Sequence, residues 1–184
     1  KEIFHYLSSG AVKGVGKATA RQLIEAFGED TLRVMEEEPE KLTQIKGLSP
    51  KRARAISDTF RQQMGMRRLL EFLTEHQLPL ELSGQLYRAY GTVALEIVRS
   101  NPYVLVSWEF GVEFSQADAL ALSLGITAQD TQRLDAGLLF ELSHNNWSNG
   151  HTFLPARKLV DATALLLEVP SDLLEERLES LAAR

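Results

Sequence analysis

One unit of sequence is used twice, and this limits the chain to folds in which the two copies share an architecture. Ala26-Phe27-Gly28 recurs as Ala89-Tyr90-Gly91, 63 residues on, and Pro39 recurs as Pro102 at the same offset. Gly47 and Ala53 recur as Gly111 and Ala117, 64 residues on. Between these anchors Leu32 aligns with Leu95 and Leu42 with Leu105. Several residue types keep an offset of 63 or 64, so the match is a structural repeat that needs stacked neighbours to bury its core. The units run roughly over 8–63 and 71–126.

Each unit reads as short helices. Ala20, Leu23, Ile24 and Phe27 fall at helical spacing within 18–27, and Gly28 is placed to end that helix. Asp30 is positioned to cap a helix through Met35, which stops before Pro39. Residues 50–76 carry a longer stripe of Ala53, Ile56, Phe60, Met64, Leu69, Phe72 and Leu73. Beyond the repeat, helical patterns cover 131–146 and 156–167. Residues 148–155 read as a turn and a short extended piece. A last helix starts after Pro170, with Ser171 or Asp172 near its cap. Helix, short strand, helix, helix is the order of a winged-helix unit cut short before its wing. The expected class is all-α, in three parts: 1–70, 71–126 and a truncated winged-helix-like 127–184.

Function turns on Gly10-Ala11-Val12-Lys13-Gly14-Val15-Gly16-Lys17-Ala18-Thr19. A nucleotide-binding P-loop with Gly16-Lys17 as its Gly-Lys pair would put Ala11 at the first glycine. It would also put Ala18 where a hydroxyl must reach magnesium. No β-branched strand precedes the turn and no Walker B strand follows. A tight turn between two packed helices fits instead, Ala20 allowing close approach. Its glycines let the backbone come near a phosphate, and free N–H groups at the next helix's N-terminus bind the anion. Lys13 and Lys17 flank it. A second copy, Ile45 to Ile56, has Ser49 in place of Gly16, set to cap a helix with Pro50 first. Lys46, Lys51, Arg52 and Arg54 make it the most basic dozen residues of the chain. A third, Trp108 to Phe114, keeps Gly111 but has Glu113 at the second small position and no Lys or Arg. The fourth position, Gln77-Leu78-Pro79, has no glycine. Copies one and two are therefore expected to meet DNA, and copies three and four to be structural.

Charge agrees. Residues 1–70 hold 13 Lys+Arg and 9 Asp+Glu, net +4, whereas 71–184 hold 7 and 16, net −9. The expected DNA-contacting residues are Lys13, Gly14, Gly16, Lys17, Lys46, Gly47, Ser49, Lys51 and Arg52, which meet the backbone and not the bases. The alternative is that the turns only pack helices while the acidic part docks on a protein. No cysteine is present, so disulfide and thiolate-metal chemistry are excluded. No apolar run reaches a membrane span's length, and 1–10 lack a signal peptide's apolar segment. Asn146-Trp147-Ser148 matches a glycosylation acceptor without other signs of secretion. His5, His76, His144 and His151 have no metal-ligand spacing, so no metal, catalytic or cofactor site is expected. His151 reads as a hydrogen-bonding turn residue. Glu36-Glu37-Glu38 reads as a solvated helix end, and Trp108, Phe110 and Phe114 as core around the third hairpin, with stacking on unpaired bases as the alternative.

The paired turns resemble tandem helix-hairpin-helix motifs. The order of residues 8–20, 26–32, 36–42, 89–91, 101–103, 117–118 and 150–155 resembles the N-terminal region of RecD-like bacterial helicases over nearly all of the chain. In that family the third turn tends to have a second glycine, where Glu113 stands here. The resemblance implies a parent superfamily 1 DNA helicase that moves 5′ to 3′ in DNA repair and recombination. It implies ATP and Mg2+ in motor domains beyond residue 184, which would be partners on the same polypeptide. It further implies single-stranded or forked DNA as ligand, a cytoplasmic location with no membrane, and room for a monovalent cation on a hairpin's carbonyls.

Overall fold

The computed structural model describes residues 1–144 and 156–183, which form ten α-helices joined by turns and short 3-10 segments, with no strand among them. The expected all-α class is what is found. The extended piece expected at 148–155, His151 and the Asn146-Trp147-Ser148 tripeptide all lie outside the described residues. The chain divides into two compact units, 1–95 and 96–184.

The first unit contains α1 (Glu2–Ser8), α2 (Lys17–Phe27), α3 (Thr31–Glu37), α4 (Pro50–Glu75) and α5 (Leu82–Tyr90). Its core joins Leu7, Leu23, Met35, Leu42, Ile56 and Phe60, all nearly inaccessible to solvent. α2 ends at Gly28 with φ +57, as the sequence predicts. Asp30 does precede α3 but caps nothing with its side chain. The hydroxyl of buried Thr31 instead donates to the Gly28 carbonyl at 2.6 Å. α4 runs unbroken past residue 70. Its first half closes the core of the first repeat, and Leu69, Phe72 and Leu73 bury its second half. This is why the compact unit extends to residue 95 and does not stop at the expected boundary of 70.

The repeat persists in three dimensions. Gly91 has φ +64 where Gly28 has +57, and each opens one 3-10 turn. α6 (Ala94–Ser100) corresponds to α3, with Ala94 and Val98 buried where Thr31 and Met35 are. Glu38 (φ −131, ψ 58) and Asn101 (φ −146, ψ 84) take similar backbone angles and start the 3-10 segments Pro39–Gln44 and Pro102–Val106. α7 (Phe114–Ser123) corresponds to the start of α4. The second unit continues with α8 (Thr131–His144), α9 (Ala156–Leu167) and α10 (Ser171–Ala182), which pack on one another.

Candidate nucleic-acid interface

Two turns in the first unit have one backbone geometry, 33 residues apart. Gly14 has φ +94 and Gly47 has φ +91. The Val15 N–H donates to the Val12 carbonyl at 3.2 Å, and the Leu48 N–H to the Ile45 carbonyl at 3.1 Å. Val12, Val15, Ile45 and Leu48 are buried and anchor each turn in the core. Gly16 and Ser49, both extended, are the N-caps of α2 and α4. The carbonyl of each accepts the first helical bond at 2.9 Å, from Ala20 and Ala53 respectively. Both alanines are buried, and this lets the helices approach closely. In each turn the apolar pair therefore faces in and the lysine-glycine pair faces out.

All nine residues expected at the interface, Lys13, Gly14, Gly16, Lys17, Lys46, Gly47, Ser49, Lys51 and Arg52, are exposed. The Ser49 hydroxyl accepts from the Arg52 N–H at 3.2 Å, so the predicted cap forms. Arg52 Nη1 donates to the Gly47 carbonyl at 3.1 Å. Arg52 therefore braces the second turn with one of its five donors.

The first turn is held against the helix that the second turn starts. Gln63 Nε2 of α4 donates to the Ala11 carbonyl at 2.6 Å. A Cβ on Gly14 would come within 3.3 Å of Ile56 Cγ1. Ile56 lies seven residues past Ser49, about 10 Å along the helix at 1.5 Å per residue. Both turns thus belong to one packed body.

The electrostatics favour an anion. No Asp or Glu occurs within 3–24 or 41–57, the segments that carry the two turns. Among the described residues, Lys13, Lys17, Lys46, Lys51 and Arg54 enter no ion pair. Two carboxylates of the acidic run at 36–38 are paired with cations outside the turns. Glu38 binds Arg33 at 2.7 Å and Lys41 at 3.0 Å, and those two cations hold its carboxyl below the usual range. Glu36 takes a two-pronged bond from Arg68, one arm at 3.0 Å, so the acidic run is only partly the solvated helix end expected. The N-terminal turn of α2 leaves free N–H groups, whereas in α4 Pro50 has none and the Arg52 N–H is taken by Ser49, which leaves that of Lys51; both helix dipoles add to the same positive field.

The turn motifs alone single out neither Arg21 nor Gln63, whereas Ile56 belongs to the apolar stripe that the sequence predicts. Arg21 is exposed, lies one turn after Lys17 on α2, and matches Arg54 at the 33-residue offset. That offset between the two turns was the signal that would have found it. Gln63 carried no signal, because an amide reaching a carbonyl 52 residues away is visible only once the chain is folded.

The third turn differs. Gly111 keeps a positive φ of +66, but Glu113 caps α7 without a side-chain bond, and Glu109 and Glu113 are exposed. Phe110 and Phe114 are buried as expected. Trp108 is not core: it is 95% exposed. The offset grows from 63 to 64 here, so this turn holds one residue more. Phe110 fills the core position and Trp108 is displaced outward. At the fourth position Gln77 takes φ +57 without glycine and ends α4. Among the described residues no His, Asp and Glu cluster suits a metal. No described helix is long and apolar enough to cross a membrane.

Residues 62–153, half of the chain, match the family described as the helix-hairpin-helix domain of the ATP-dependent RecD2 DNA helicase. Residues 4–62 match the SAM-like helix-hairpin-helix tandem. Among curated proteins, the ATP-dependent RecD2 DNA helicase of Deinococcus radiodurans is 29% identical over 144 residues, which are 78% of this chain and 20% of that protein. The chain thus spans about a fifth of the length of that relative. No solved structure matches it.

Proposed function

The chain belongs to the family of the helix-hairpin-helix domain of RecD2 DNA helicases, and on that premise we propose that it grips the DNA backbone for such a helicase, without sequence preference, through the turns at 12–17 and 45–52. The observation that carries this reading is the pairing of the two turns. They share a backbone geometry with glycine at φ above +90, and exposed, unpaired lysines flank both in segments free of acid. The roles divide by atom. Gly14 and Gly47 let the main chain approach a phosphate, and the helix N-termini point N–H groups at it. Lys13, Lys17, Lys46 and Lys51 neutralise phosphates to either side, with Arg21 and Arg54 one turn further along. Arg52 and Ser49 fix the second turn. None of these groups reads a base edge, so affinity is set by charge and salt.

The parent would be an ATP-dependent helicase moving 5′ to 3′ in repair or recombination in the cytoplasm. Its ATP and Mg2+ would sit in motor domains on the same polypeptide, for which this module would hold single-stranded or forked DNA. The module supplies no catalytic group to that chemistry.

Fluorescence anisotropy with labelled single-stranded, duplex and forked DNA, at low and moderate salt, tests the reading. Salt-sensitive binding that K13E/K51E abolishes is the expected result. A folded chain that binds none of the three at low salt refutes DNA gripping and leaves the turns as helix-packing devices.

A further inference from the structure

We propose that the second unit carries a docking groove for a basic amphipathic helix, a site separate from the DNA-gripping turns. The groove has a volume of about 700 Å3 and lies between the third turn and α8. Its floor is a run of aromatic rings. Tyr103 stacks on Phe114 with centroids 5.7 Å apart, and Phe114 meets Phe140 at 4.8 Å. On its rim stand Trp108, 95% exposed, and Leu139, 67% exposed. A nearly bare indole beside a bare leucine over an aromatic floor is the composition of an interaction site.

The polar groups of the groove say what it does not hold. The Tyr103 hydroxyl is taken by Asp118 at 2.6 Å, and Asn101 Oδ1 by the Tyr103 N–H at 3.2 Å. The Gln132 amide donates to the Ser100 carbonyl, and Asp135 binds Arg177. Ser143 and His144 are bonded to carbonyls of their own helix. Most of the groove's polar groups are thus engaged within the fold, and its lining is chiefly apolar. No Lys or Arg lines the groove, so a phosphate chain has nothing to track. Platforms that stack unpaired bases combine rings with a positive groove.

Charge selects the occupant. Residues 96–184 hold 6 Lys+Arg against 13 Asp+Glu, net −7. Glu109 and Glu113 are exposed on the turn that carries Trp108, and neither enters an ion pair among the described residues. An apolar groove next to the exposed carboxylates of Glu109 and Glu113, in a unit of net negative charge, is complementary to a helix with apolar residues at i, i+3, i+4 and i+7 and Lys or Arg flanking them.

The test uses the 184-residue chain with Trp147→Phe, so that Trp108 is its one indole. The probes are a synthetic Leu/Lys peptide in that helical pattern, its Leu/Glu counterpart, and oligothymidylate. The Leu/Lys peptide should bind and blue-shift Trp108 emission, more weakly as salt rises. Leu139→Glu, which adds negative charge, should weaken that binding about tenfold, the size of one lost interface anchor. Trp108→Ala, read by anisotropy of labelled peptide, should do the same, and K13E/K51E should leave it unchanged. Both Trp108 and Leu139 are solvent-facing, so neither change threatens the fold. No binding of the Leu/Lys peptide overturns the proposal. So does equal binding of the Leu/Glu peptide, unchanged affinity in Leu139→Glu, or Trp108 quenching by oligothymidylate in place of the peptide. Loss of DNA binding in K13E/K51E with peptide binding intact separates this site from the turns.

Discussion

Gly14 and Gly47 occupy the same backbone conformation in different surroundings, and this separates strain from crowding. At Gly47 a Cβ would meet open space, so Gly47→Ala carries only the cost of a left-handed residue, about 1 kcal/mol. At Gly14 the same strain is joined by a Cβ 3.3 Å from Ile56. Thermal unfolding should therefore place Gly14→Ala below Gly47→Ala in stability, within the range of about 1–3 kcal/mol. The reverse order would mean that the first turn is not seated on α4. Ser49→Ala should cost about 1 kcal/mol through the lost cap. Arg21→Gln and Arg54→Gln should each lower the slope of log affinity against log salt by about one unit, if each meets one phosphate.

At the scale of elements, the two turns were legible in the sequence because glycine, lysine and small-residue spacing are local properties. So were the boundaries of α2 and α4, set by Gly28 and by Ser49-Pro50. What was not legible depends on distant partners. Asn101-Pro102-Tyr103 and Ala117-Asp118 marked a resemblance, but their chemistry emerges only in the fold. Asn101 caps its 3-10 segment, and Tyr103 donates to Asp118. Arg133 binds both Asp118 oxygens at 2.9 Å and the Ala128 carbonyl at 2.9 Å. The Arg133 and Asp118 side chains are only 6% and 14% exposed. Asp118→Ala strands a buried guanidinium and should cost about 3–5 kcal/mol, seen as early melting of the second unit. Burial, then the bond to Asp118, pushes the Tyr103 hydroxyl well above the range of a free tyrosine. A raised folded value favours the protonated phenol, so its contribution is complete below the unfolded value near pH 10 and is lost as pH rises beyond it. Tyr103→Phe should flatten the fall in stability above pH 10, measured by denaturant unfolding.

For the molecule as a whole, charge and compact units coincide. Residues 1–95 hold 14 Lys+Arg and 12 Asp+Glu, net +2, against −7 for residues 96–184. The asymmetry was visible in the sequence, but the boundary was not, because α4 runs through residue 70 and buries its second half in the first unit. Trp108 was misread for a similar reason: a one-residue insertion decides which aromatic enters the core. The central claim is that the two basic turns, and not the acidic third, meet DNA. Amide chemical-shift mapping of the labelled chain during titration with forked DNA tests it most directly. The account predicts changes concentrated in residues 12–21 and 45–54, fading as salt is raised. Changes centred on residues 107–114, with the first two turns silent, would contradict it.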